Sequence, residues 1–178
     1  MSTNVSPQPP QTTGAPHEVI WPEWVYPYPA GLLGGLFGGV AVALVGAGYG
    51  LISGIGLWRP INLVAATVLR DMQAQSLETL SQFNLLALIL GLAIHAALAV
   101  GLGEVFSFIL PALPGRPLYW GPVIGPLLWV GANVAALPII NPVMAANVHW
   151  PSFALANILY GLVLGWWIDR TPMIHVNA

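Results

Sequence analysis

The chain has 178 residues and a formal net charge of −2, with four Lys/Arg and six Asp/Glu residues, and 57% of it is hydrophobic. Its mean hydropathy is +0.77. An ordinary soluble domain carries about 25% charged residues, so this chain cannot cover a water-facing surface. All the cationic residues are arginines (Arg59, Arg70, Arg116, Arg170), which leaves no basic patch to neutralise phosphates and argues against nucleic acid as a partner. The absence of cysteine excludes disulfides and thiolate metal sites.

The first stretch, residues 1–20, lacks the basic and apolar regions of a cleaved signal peptide. Its Pro, Thr, Gln and Ser content predicts a disordered or extended tail. An aromatic segment comes next at 21–30, with Trp21, Trp24, Tyr26 and Tyr28 suited to the lipid–water interface.

A membrane-spanning helix needs ~20 mainly apolar residues. Four stretches within 31–170 qualify: 31–57, 85–110, 118–140 and 151–168. The fold class expected is therefore an all-α integral membrane protein with four transmembrane helices. Pro122, Pro126 and Pro138 predict a kink in the third. Trp58, Tyr119, Trp120, Trp150, Trp166 and Trp167 stand at the span ends as an aromatic belt. Residues 171–178 read as a C-terminal tail. With two arginines on each side of the membrane, charge does not select an orientation.

Between the first two spans, Leu69, Met72, Leu77, Leu80 and Phe83 recur at roughly helical spacing. This predicts a short amphipathic helix lying in the interface, with a plain solvated connector as the other reading. Pro60 is expected to hold Arg59 out of helical conformation, and Asn62 to turn or cap the segment after it.

Two echoes suggest tandem helical hairpins. Phe83, Leu85, Gly91 and Leu92 match Phe153, Leu155, Gly161 and Leu162, and NLVAATV after Ile61 matches NPVMAANV after Ile140 with one residue inserted. Asn62 and Asn141 would then both stand just past a helix exit on one membrane side and form a paired partner surface.

The first span holds Gly31, Gly34, Gly35, Gly38, Gly39, Gly46, Gly50 and Gly54 among its glycines. Small residues four apart let helix backbones approach closely in lipid, so this helix is expected to be a packing face. Its neighbours could be the chain's own helices, a larger subunit, or a flat cofactor or lipid. With Trp58, Asn62 and Asn141, these glycines are the expected interface.

His95 lies near the centre of the second span, flanked one turn away by Gly91 and Ala99, so it points into a helix contact. It could hydrogen-bond to Ser, Asn or a carbonyl, or serve as a quinone contact or proton relay. Glu104, nine residues on, falls on the opposite helix face; it could pair with Arg116 or act as a proton-pathway acid. Asn133 and Asn157 are expected to hydrogen-bond between helices. No Ser/His/Asp set, carboxylate pair, HExxH or other metal-ligand cluster is present, so no catalytic role is expected.

The phrases GLISGIGLWRPINLVAA, GLAIHAALAVGLGEVF and INPVMAANVHWPSFALANILYGLVLG resemble a family of small four-helix bacterial membrane proteins. These are encoded among respiratory-chain genes for haem-copper oxidases and alternative complex III. The resemblance spans roughly 31–165 in short phrases and carries no ligand residues. It implies an accessory subunit in the bacterial inner membrane, packed against larger integral subunits of an electron-transfer complex and against lipid. No cofactor is expected on this chain alone, although a structural lipid or quinone could fill a shared interface, with His95 and Glu104 its weak contacts. The second reading is a small homo-oligomeric transporter or channel using His95 and Glu104. A lipid-acting enzyme ranks last.

Overall fold

The computed structural model describes residues 23–176; the expected tail at 1–20 and Trp21 lie outside them. Four long helices dominate: α1 (Tyr28–Ile52), α3 (Leu85–Ile109), α4 (Pro117–Ile140) and α6 (Trp150–Ile168). Each is long and apolar enough to cross a membrane. Two short helices, α2 (Arg59–Ala65) and α5 (Pro142–Asn147), come after the exits of α1 and α4. Two-residue strands β1 (Trp24–Val25) and β2 (Ile174–His175) pair antiparallel. The expected C-terminal tail is thus tied to the N-terminal segment, with Trp24 edge-on to His175 at 5.1 Å between centroids.

The boundaries of α1 shift from the expected ones for local reasons. Pro27 and Pro29 suit a helix start, so α1 begins within the aromatic segment, at Tyr28. It ends at Ile52 rather than 57, because Gly54 and Gly56 take φ of 74° and 93°, outside helical geometry and cheap only for glycine.

Glycine governs the packing. Built Cβ atoms on Gly31 and Gly35 would strike the α3 backbone at Glu104 and Ala99, and on Gly34 and Gly38 the side chains of Leu164 and Tyr160 on α6. Helix α1 is therefore gripped on two faces. Gly121 and Gly161 make an equally close contact between α4 and α6. The result is two hairpins, α1 with α3 and α4 with α6, joined where α1 meets α6. Tyr160 is 1% exposed; its ring rests on Gly38 and its hydroxyl donates to the Ala99 carbonyl at 2.6 Å. One side chain thereby ties α6 to α3 across α1.

The α1–α3 connector replaces the expected interfacial helix with α2 and two turns of 3₁₀ helix, Arg70–Ala74 and Thr79–Ser81. Together with α5 they form a cap with its own core of Leu63, Ala65, Ala66, Met72, Leu80 and Ala87. Met72 and Leu80 are buried there, while Leu77 and Phe83 stay exposed. The cap folds back because Asn62, 1% exposed, donates to the carbonyls of Leu80 and Gln82, both at 2.8 Å. Arg59 is helical after all, since α2 starts at it with Pro60 in the first turn, where a missing N–H is harmless.

Candidate functional site

Helices α3 and α4 barely touch, and an apolar crevice of about 520 Å³ lies between the two hairpins. Its α3 wall runs from Leu88 to Leu102, about 21 Å at ~1.5 Å rise per residue. That is most of a ~30 Å hydrocarbon core. The cap closes one end with Ile61, Val64 and Met144. Among the described residues no Asp, Glu, Lys or Arg lines it.

At mid-depth its wall carries polar groups from three helices. His95 of α3 donates from Nε2 to the Gly39 carbonyl at 2.8 Å, a bond available because Gly39 has no side chain to intervene. That realises the carbonyl-bonded reading of His95. A bond to a carbonyl acceptor requires a proton on Nε2. On α4, Trp129 is 8% exposed and, on α6, Asn157 is 1% exposed. Among the described residues, the Trp129 Nε1 and the Asn157 Oδ1, both sealed from open space, have no hydrogen-bond partner.

Asn133 and Asn157 do not bridge helices as expected. Each amide donates to the carbonyl four residues back in its own helix, Trp129 at 2.7 Å and Phe153 at 2.6 Å. Near the cap, Tyr49 and His149 stack at 4.8 Å between centroids, and His149 Nδ1 lies 2.8 Å from Ser152 Oγ at the start of α6.

The expected site residues divide into groups. Gly46 lines the crevice with nothing within 4 Å of a built Cβ, and Gly54 is likewise open. Gly39 meets Ala99 and His95, while Gly50 meets the Gly56 carbonyl. Trp58 lines the crevice and packs edge-on against Phe83 at 4.9 Å. Asn62 and Asn141 do not form a partner surface. Both are buried, Asn141 at 0% exposure, because each spends its amide on its own chain. Asn141 donates to Leu63 O at 2.7 Å and Thr67 Oγ1 at 2.9 Å, and accepts from Met144 N at 3.0 Å. It pins α4 and α5 to α2.

Glu104 and His95 belong to different sites. Glu104 lines a second pocket with Tyr26, Tyr28 and Ser107, beside Leu32 of α1, and its Oε1 has no partner among the described residues. The expected Glu104–Arg116 pair does not form. Arg116 opens α4, which packs on α6, so it meets Asp169 at the end of α6 and makes a two-pronged ion pair. Hydrogen bonding from Arg116 holds the Asp169 carboxyl below its ordinary pKa. Nearby, burial and then the Asp169 charge raise the pKa of Tyr26.

Among the described residues no group of three or more His, Asp or Glu could hold a metal ion. Tyr160 and Trp129 were missed from sequence, although an aromatic with a polar tip inside a span needs a partner for that tip. The fold defines a multi-pass helical membrane protein enclosing an apolar crevice with a sparse polar wall. Comparisons with protein-family profiles, curated proteins and solved structures give no match.

Proposed function

We propose that this chain is an accessory subunit of the bacterial inner membrane. In this reading it packs against larger integral subunits of an electron-transfer complex and shapes a quinone- or lipid-filled crevice at their boundary. The observation that carries the reading is an unpartnered stripe on α3. Ala93, Ala97 and Gly101, four residues apart, are all exposed, and a Cβ on Gly101 would meet nothing within 4 Å. Small residues at this spacing are how helices associate in lipid, and every other close glycine contact of α3 is already used inside the chain. The family resemblance of three phrases supplies the kind of complex. The wall of the crevice has one ionisable side chain at mid-depth, and its one Ser–His contact among the described residues, Ser152 with His149, belongs to the cap that starts α6, which suits binding rather than turnover.

The test is purification of the tagged native protein in mild detergent, with mass spectrometry and a visible spectrum of the product. Haem-bearing integral subunits should co-purify. A homo-oligomer free of redox partners would favour the transporter reading instead.

A further inference from the structure

We infer that the crevice holds one acyl chain of a glycerophospholipid from the cap-side leaflet, with the lipid's ester and phosphate oxygens at Tyr49 and His149. The inference rests on the proposed role of the crevice and commits its filling to lipid.

Depth is the first argument. Counted from the cap-side helix ends, the lining stops on α1 at Val42, ten residues from Ile52, and on α4 at Trp129, eleven from Ile140. On α6 it stops at Asn157, seven residues from Trp150. At ~1.5 Å per residue these limits lie about 10–17 Å in, roughly half of a ~30 Å core. Only the α3 wall runs deeper, to Leu102. At that level Tyr160 packs edge-on to Trp129 at 6.2 Å and its bond to the Ala99 carbonyl joins α6 to α3. Most of the crevice is one leaflet deep.

The second argument is what the walls offer. At mid-depth His95 spends Nε2 on the Gly39 carbonyl, and Asn133 and Asn157 spend their amides on their own helices. Trp129 Nε1 and Asn157 Oδ1 are sealed from open space. The deep part therefore offers an occupant mainly hydrocarbon contact. Water would need two to four polar partners, and an empty space would forfeit dispersion contact along its whole lining. Room is left beside the α1 backbone as well. Gly46 lines the crevice with nothing within 4 Å of a built Cβ, whereas Gly31, Gly35 and Gly38 are each met by atoms under 3 Å away.

Size and the cap decide between a chain and a helix. A partner helix ~10 Å across, filling 15 Å of depth, would need more than ~1,000 Å³, about twice the 520 Å³ present. It would also have to continue past Ile61 and Met144, which close that end. A single alkyl chain has neither problem. At the interface the lining comes to the surface at His149, which is exposed and stacked on Tyr49 at 4.8 Å. A tyrosine hydroxyl and an imidazole N–H donate hydrogen bonds, and ester and phosphate oxygens accept them. Phospholipid is the surrounding solvent, so mass action favours its chain over any scarcer amphiphile.

The full chain is reconstituted in nanodiscs of phosphatidylcholine carrying a diazirine on one chain, either at the terminal carbon or beside the ester. It is then washed in mild detergent and illuminated, so that only retained lipid is captured. Native mass spectrometry should show one lipid per chain. Peptide mapping should place the terminal-carbon probe at Val42 and Leu102 and the ester-side probe at Tyr49 and His149, with exposed Leu44 of α1 labelled by neither. Gly46→Leu and, from the opposite wall, Ala136→Leu put a side chain into the space and should abolish capture. Gly48→Leu, off the lining and also free of neighbours, should retain it. Circular dichroism matching wild type shows which variants are folded and can be read. No retained lipid, a reversed depth pattern, or undiminished capture in a folded plugged variant would overturn the inference. So would complete displacement of the probe by a decyl-tailed benzoquinone added at equal mole fraction. Retention is read on the isolated chain and the accessory role on co-purifying subunits, so the two fail separately.

Discussion

Replacing Gly35 by alanine tests whether the fold depends on backbone-to-backbone contact. The new methyl carbon would lie 2.5 Å from the Ala99 carbonyl oxygen and 3.0 Å from Val100 Cα. Ordinary contact begins near 3.4 Å, so α1 and α3 would have to part by about 0.9 Å. Both obstacles are backbone, and neither can swing aside as a side chain could. Overpacking of this kind costs ~1–3 kcal/mol, against which the better helix propensity of alanine returns ~1 kcal/mol. Gly48→Ala on the same helix is the control, because a Cβ there meets nothing within 4 Å and only the propensity gain remains. The propensity gain is common to both, so the two variants should differ by the overpacking cost, about 1–3 kcal/mol, read by titrating mixed micelles with a denaturing detergent and monitoring helicity. Stabilities within ~0.5 kcal/mol of each other would refute the contact argument.

Three further outcomes are expected. Asn141→Ala removes two donated bonds and one accepted bond at a buried site and should cost about 2–3 kcal/mol in the same assay. Asn133→Ala loses only a bond to its own helix and should cost under ~1 kcal/mol; equal losses would contradict the pinning role of Asn141. The lowered pKa of Asp169 means that its ion pair stabilises the fold while the carboxylate is charged. The advantage of wild type over Asp169→Asn should be constant above pH ~5, shrink as pH falls through the ordinary aspartate value of 3.8, and vanish below the lowered one. An advantage that instead grew with acid would show the sign to be wrong. Finally, Ala97→Leu should leave the isolated chain as stable as wild type, since that position is exposed, which a thermal melt in micelles can check.

The four spans were legible because their signal is bulk composition: each is a long apolar run, with Glu104 of α3 the one charged residue among them, and lipid tolerates little other than helix there. The end of α1 was legible too, in Ser53-Gly54-Ile55-Gly56, but counting apolar residues passes over it. His95 bonding to a carbonyl could be read from the small residues on its face. The cap could not, because its shape depends on Asn62 reaching carbonyls 18 and 20 residues away, and spacing along the chain carries no trace of that. Asn62 and Asn141 looked alike in sequence and both proved internal, one inside a helix and one capping a helix while pinning another. The Arg116–Asp169 pair was obscured for a related reason. Which acid meets an arginine depends on which helices pack, and Gly121 against Gly161 decided that in favour of α6. The crevice itself arises because α3 and α4 barely touch, which no motif encodes.

The central claim is that the exposed small-residue stripe of α3 docks a larger membrane subunit. Its most direct measurement compares wild type with the Ala97→Leu, Gly101→Leu double variant, each tagged and expressed at native level, by quantitative mass spectrometry of the subunits that co-purify in mild detergent. The account predicts haem-bearing integral subunits with wild type and their loss from the double variant, with the variant chain itself recovered folded and in equal amount. Identical co-purifying subunits from both, or none from wild type, would contradict it.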